Sequence, residues 1–262
     1  MVRKMGWKKD PPSVKDKPYA ARLMAEREIE LPKEISLRAG MPPVFDQAQE
    51  GSCVWNAVVA AEMFAQFKQG KPFTMLSRQF GYYNTRLAEG SKNEDEGCCI
   101  RNAMKVGSHL GLPHEDGPDG WPYSPDNIFK CPPFRCYISA RDHQMLEFFR
   151  VDWTNLYEVK RCLAGADGKG GFPIVWGQTL TASFNGVGKS GVVSVPAAGE
   201  TVIGGHAKLL CGYKEIDGKL YFEDRNSWGD GWGNSGYCWI PEEIVTSPTM
   251  SDDFWTIRKV EA

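Results

Sequence analysis

Residues 45–72 read FDQAQEG followed by SCVWNAVVAAEMFAQFKQGKP, and the second piece decides the architecture. Val54, Ala57, Val58, Ala61, Phe64, Ala65 and Lys68 recur at helical spacing. Ala, Val, Met and Phe take nearly every face, so the helix is expected inside the protein rather than on its surface. Gly70 is placed to end it and Pro72 prevents its continuation. Cys53 opens this helix directly after Gly51-Ser52. The free N–H groups at a helix start carry partial positive charge, which favours thiolate over thiol. The alternative for Cys53 is a small apolar residue of the core.

Upstream, residues 1–50 are rich in proline and charge. A short helix fits Ala20 to Ile29, and Pro32, Pro42 and Pro43 prevent anything long. This stretch reads as an extended arm over a body. Downstream, helices are expected over Ser77–Glu89 and Ile100–His109, the latter closed by Gly111 and Pro113. Residues 116–133 read as loop. Beyond Cys136 the texture becomes β, interrupted by a helix near Leu156–Leu163. The runs are FPIVWGQTL, GVVSV, HAKLLCGYKE, KLYFEDRNS, GYCWIP and FWTIRKV, with Asp217-Gly218 as a tight hairpin turn. The expected class is α+β with two lobes and a cleft between them. The expected parts are an N-terminal arm (1–45), a mainly helical lobe (46–135) and a mainly β lobe (136–262).

The 262 residues are 42% hydrophobic and 24% charged, the balance of a globular chain with a full core. A formal net charge of −2 gives no basic excess to attract nucleic acid or an anionic membrane. No apolar run approaches the ~20 residues that cross a bilayer. The basic opening lacks the apolar stretch of a secretion signal. Eight cysteines are too few for a disulfide scaffold, so mostly free thiols in a reducing setting are expected. Cys131 and Cys136 offer a pair or two metal ligands, but no paired C-x-x-C motif supports a zinc site. Gly186-Val-Gly-Lys-Ser-Gly191 imitates a phosphate loop. It lacks the earlier glycine, Ser183 standing there, and a strand-like run rather than a helix follows it. It reads as a flexible glycine turn.

Two further segments carry chemistry. Gly204-Gly205-His206-Ala207 sets a histidine at the start of an apolar strand, behind two glycines, where it can face a cleft with its backbone closely approached. Asn226-Ser-Trp-Gly-Asp-Gly-Trp-Gly-Asn-Ser-Gly-Tyr237 sets an asparagine at a strand end, followed by tryptophans and glycines. Gln47 lies six residues before Cys53, His206 lies 153 after it, and Asn226 lies 20 further on.

This joint order, with GSC before a helix, GGHA before a strand and NSWG-x-GWG-x-x-GY after it, resembles the papain family of cysteine peptidases. The resemblance spans about residues 30–260 and includes Leu31-Pro-Lys-Glu, Trp121-Pro-Tyr123 and Phe254-Trp-Thr-Ile. It is nearest to the compact bacterial, archaeal and viral branch. It implies a two-lobed fold, a helical lobe around the nucleophile helix packed on a barrel-like antiparallel lobe, and endopeptidase activity through a thioester on Cys53. It further implies His206 as base and acid, Asn226 as the holder of the imidazole, and Gln47 as an oxyanion donor with the Cys53 N–H. Ser52, Gly205 and Trp228 are then expected along the substrate cleft, with Trp228 covering the His–Asn bond. The resemblance requires no metal or organic cofactor, and the partner is a peptide or protein substrate. Alternatives are acyl transfer to an amine and a silent peptide-binding module.

Two departures stand out. Glu50 occupies the position where secreted members carry a cysteine, which fits an intracellular or virion-associated setting. Ala48 replaces the glycine after the oxyanion glutamine and is expected to tighten that turn. The arm is too short and proline-rich for the family's long folded leader. It is expected to brace the two lobes with Trp7, Tyr19 and Leu23 as anchors, in preference to plugging the cleft.

Overall fold

The protein is described here by a computed structural model covering residues 3–24 and 27–261. In chain order its first elements are β1 (Trp7–Lys8), α1 (Tyr19–Leu23), β2 (Ile35–Ser36), α2 (Cys53–Lys68), α3 (Arg78–Ala88), β3 (Cys98–Cys99) and α4 (Ile100–His109). There follow α5 (Phe134–Ala140), β4 (Met145–Arg150), α6 (Leu156–Ala164), β5 (Ile174–Thr181), β6 (Val202–Ile216), β7 (Lys219–Arg225), β8 (Tyr237–Pro241), α7 (Glu242–Val245) and β9 (Ser251–Val260).

Helix α2 is the axle. Only Phe67 and Lys68 of it reach the surface. It packs on α3 and α4 on one side and on β5, β6 and β9 on the other, which is why its sequence is apolar all round. Helix α3 starts as expected, with Ser77 Oγ accepting the Phe80 N–H at 3.0 Å. Its Gly81 lets Trp55 lie flat against the backbone, since a Cβ there would sit 2.4 Å from the indole. Seven antiparallel strands form one sheet in the order β4-β9-β5-β6-β7-β8, with β2 added to β6. Asp217 and Gly218 close the β6–β7 hairpin with φ of 50° and 75°, the positive pair that a two-residue type I′ loop requires. One hydrophobic cluster runs from Val54 and Phe80 to Trp176 and Ile257, so helices and sheet share a core.

Three local expectations are corrected. The helix expected over Ala20–Ile29 ends at Leu23, because Tyr19 is its one buried residue and one turn with one anchor gains little by growing. The run GVVSV is not a strand. Val192 makes a single bridge to Trp239, while Gly191 turns the chain at φ 71° and Pro196 removes a donor. Helix α5 was not expected; it starts behind Pro132-Pro133, and its only buried residues are Cys136 and Ala140, too few to show a helical period. The GVGKSG segment follows a 3-10 turn rather than a strand and leads into irregular chain, and Lys189 bonds the Gly231 carbonyl at 2.7 Å. All eight cysteines are free. Among the described residues no three potential metal ligands converge, and no helix is long and apolar enough to cross a membrane.

Candidate active site

Cys53 sits on the first turn of α2, and the start of β6 passes over it. The Ala207 N–H points at the Cys53 sulfur from 3.4 Å. One residue earlier on the strand, His206 is fully buried. Its Nε2 meets Asn226 Oδ1 at 2.8 Å, while its Nδ1 has no partner. Asn226 lies just past the end of β7, and its Oδ1 also accepts the Ser227 N–H at 2.8 Å, which fixes the amide. Trp228 lies against the imidazole with ring centroids 5.1 Å apart and leaves 5% of its surface exposed. The amide of Gln47 is held from two sides: Oε1 accepts from Ser227 Oγ at 2.6 Å and Nε2 donates to the Glu50 carbonyl at 2.8 Å. The backbone reinforces this, with Gln47 N–H on the Ser227 carbonyl and Gly229 N–H on the Phe45 carbonyl.

The structure thus gathers Gln47, Cys53, His206, Asn226 and Trp228 at one place. The Ser52 hydroxyl turns inward to Tyr123, 2.5 Å away, and to Asn56. Gly205 touches the chain's own arm, since a Cβ there would lie 2.5 Å from the Trp7 carbonyl oxygen.

The arm corrects the brace expectation. Residues 3–8 run through the site. Arg3 pairs with Asp46 and reaches the Trp228 carbonyl. The Lys4 carbonyl accepts the second Gln47 Nε2 hydrogen at 3.1 Å, and the Lys4 ammonium meets Asp95 at 2.8 Å. Gly6 fits where nothing larger can: its Cβ would stand 1.8 Å from the Gly51 carbonyl oxygen. Trp7 and Lys8 pair in parallel with Cys98 and Cys99, and the Trp7 indole covers Gly177 and Gly205. Beyond residue 9 the arm does brace. Asp10 bonds the Arg101 N–H and the Trp255 indole, Asp16 holds Arg101, and Tyr19 is buried while Leu23 is partly so. Bracing was legible as anchors in a proline-rich stretch. Plugging rests on Lys4 and Gly6, whose fit is visible only once the cleft exists.

Under the arm Cys53 and His206 are both fully buried. Burial pushes the Cys53 thiol up to about 11, against the pull of the Ala207, Gly6 and Val54 N–H groups. Burial likewise pushes His206 down to about 3, opposed by Asn226 and assisted by the Lys208 charge. In this covered state the couple is thiol and neutral imidazole. Glu50 is raised to about 7, by burial first and then by Asp95.

Sequence reasoning quoted Tyr123 and Lys208 inside its motifs without giving either a role, and passed over Arg78. Arg78 lies between the Phe45 and Tyr123 rings and grips Glu115 through two bonds of 2.9 and 2.7 Å, carrying the loop before Cys53. Lys208 had a signal, a charge inside the apolar run HAKLLCGY.

Residues 31–253 match the family described as papain family cysteine protease. An uncharacterized peptidase C1-like protein of Acanthamoeba polyphaga mimivirus is 35% identical over 242 residues, covering 88% of this chain and 74% of that protein. Xylellain, a cysteine protease from Xylella fastidiosa, superposes with a TM-score of 0.82 at 32% identity, over 99% of this chain and 98% of that one. Digestive procathepsin L 3 of Tenebrio molitor, at 18% identity and a TM-score of 0.69 over 88% and 71% of the two chains, shares the fold.

Proposed function

We propose, from the premise that this chain belongs to the papain family of cysteine proteases, that Cys53 is its nucleophile and that residues 3–8 hold the enzyme latent. The observation that carries the assignment is the pairing of a helix-start sulfur with a histidine whose Nε2 is fixed by Asn226 and whose Nδ1 is unpartnered.

The chemistry follows from these atoms. Once the arm withdraws, water reaches the couple and the burial that kept both groups neutral is relieved. The thiol proton passes to the free His206 nitrogen, and the thiolate attacks the peptide carbonyl carbon. The carbonyl oxygen, now negative, takes the hydrogen of Gln47 Nε2 that Lys4 occupied, together with the Cys53 N–H. His206 gives its proton to the amide nitrogen as the C–N bond breaks, leaving a thioester. Water, deprotonated by His206, hydrolyses that thioester and restores the thiol. Asn226 keeps the ring oriented throughout, and Trp228 shields their bond. The body is read as lobes 46–135 and 136–262 with the stretch to residue 45 as arm. Trp228 and Gly205 border the cleft where a peptide or protein substrate replaces the arm, and the Ser52 backbone positions the nucleophile. The free cysteines and the viral relative support an intracellular or virion-associated setting.

Replacing Cys53 by Ala is expected to abolish hydrolysis of a fluorogenic peptide and to leave the melting temperature within about 2 °C, since Ala suits the helix. Residual turnover at wild-type level would remove Cys53 from the role.

A further inference from the structure

In the buried first half of strand β6, His206 and Lys208 stand at alternate positions and therefore on one face. The side chain of Lys208 is fully covered, and its Nζ stands 2.6 Å from Asp224 Oδ2, whose side chain is equally covered. Asp224 is pinned on β7 by the Trp176 indole N–H at 2.7 Å and by the Cys238 thiol. The ammonium lies over two rings, Trp176 at 4.8 Å and Phe184 at 4.6 Å. Phe184 meets Trp228 edge-on at 5.5 Å, and Trp228 lies on His206. A contiguous path thus runs from the buried cation through two aromatic rings to the imidazole.

A buried ion pair is poor value as a stabilising device, because desolvation offsets its attraction and two apolar side chains would fill the space as well. Peptide hydrolysis has no direct use for this pair either, since neither group reaches Cys53. We infer that Lys208, held in place by Asp224, is a positioning residue that sets the proton affinity of His206. The inference rests on the reading of His206 as the base. A fixed positive charge on the same strand face disfavours the imidazolium, which makes that cation a stronger acid toward the leaving amine and resists its formation while the arm is docked. The other groups facing His206 are Cys53 on α2, neutral Gln178 opposite it on β5, neutral Asn226 beyond β7, and, past Trp228, the Arg3–Asp46 pair. Lys208 acts on His206 in the same direction as burial, and its partner Asp224, 2.6 Å from the ammonium, offsets part of that field.

The test is the alkaline limb of kcat/KM in the full chain carrying Lys208→Met with Asp224→Asn, which removes both charges and keeps an acceptor for Trp176. Lys208→Leu with Asp224→Leu serves as a second variant that packs without polar atoms. Lys208 has no hydrogen bond or ring contact with residues 3–10, so arm opening enters wild type and variants alike. The alkaline midpoint is expected to rise by roughly a few tenths of a pH unit in both variants, the part of the cation's Coulomb effect that the removal of Asp224 does not cancel. A purely structural pair would change the melting temperature and leave the midpoint where it was, and a midpoint unmoved in both folded variants would overturn the inference. Cys53→Ala is assayed alongside. If that variant turns over, the reading of the site fails; if it is dead and the midpoint stays, only the role of Lys208 fails.

Discussion

Ala48 shows how one residue reports on a site. It adopts φ 52°, a left-handed conformation that costs an L-residue roughly 1–2 kcal/mol and costs glycine almost nothing. The turn is imposed by its neighbours: Asp46 Oδ1 accepts the Ala48 N–H at 2.8 Å, and Gln47 on one side is bound to the Ser227 and Glu50 groups that aim its amide. The expectation that alanine tightens this turn without breaking it therefore acquires a physical form, as strain held by the hydrogen bonds around it. Ala48→Gly should release that strain at the expense of a freer unfolded chain, a net gain of about 0.5–1 kcal/mol. For a chain of this size the melting temperature should rise by roughly 1–4 °C, with kcat within about twofold of wild type because Gln47 keeps its partners. A lower melting temperature would show that the neighbours, not the φ angle, dominate this position.

At the scale of elements, the arm is fastened by a cluster with more acid than base. Asp10, Asp16, Asp252 and Asp253 surround Arg150, with Arg101 and Lys9 as the other cations. Four carboxylates face three cations, so one proton is favoured in the cluster. Burial raises Asp253 to about 7, with the Asp10 charge as the next cause, and burial raises Asp10 as well. Both carboxylates fasten arm to body: Asp253 accepts the Trp7 indole and the Asp10 N–H, and Asp10 accepts the Trp255 indole. A carboxyl group whose affinity for protons is raised by docking contributes stability that is complete below its ordinary range near 4 and is lost as pH climbs through about 7. The arm should therefore bind more tightly at pH 5.5 than at pH 8. Hydrogen exchange of residues 4–8, corrected for intrinsic rate, is expected to show less protection at the higher pH, and Asp253→Asn should flatten the difference. Protection that grows with pH in the wild type would contradict this account.

The same scale shows what the sequence revealed. Helix α2 was legible because its all-apolar faces leave only burial as an option, and β5, β6, β7 and β9 because their runs are long and rich in branched and aromatic residues. Helix α5 and the failed strand at Val192 were not, since one buries two side chains and the other pairs through a single bridge. Of the candidate site, the gathering of Cys53, His206, Asn226 and Gln47 followed the motif and order. The contacts that cover them were not readable there, because a backbone carbonyl such as that of Lys4 has no sequence signature.

The whole molecule joins these scales through the division of the arm. Residues 3–8 occupy the cleft and leave Cys53 and His206 with no exposed surface, whereas residues 10–23 tie α4, β4 and β9 together. A pure plug would open the enzyme at unchanged stability, and a pure brace would weaken it without gain in rate. The observed division predicts a combination that neither gives. Removing residues 1–8 should raise kcat/KM at least tenfold on a short peptide, with a small fall in melting temperature from the lost Trp7 contacts. Removing residues 1–28 should give a similar rate but a much lower melting temperature. Arg101 would then lose Asp16 and Arg150 would lose two of its four carboxylates, and breaking buried pairs of this kind costs about 3–5 kcal/mol. That corresponds to a fall of roughly 6–20 °C. The two truncations need only a fluorogenic assay and a thermal melt. Equal melting temperatures in both would deny the brace, and an unchanged rate in both would deny the plug.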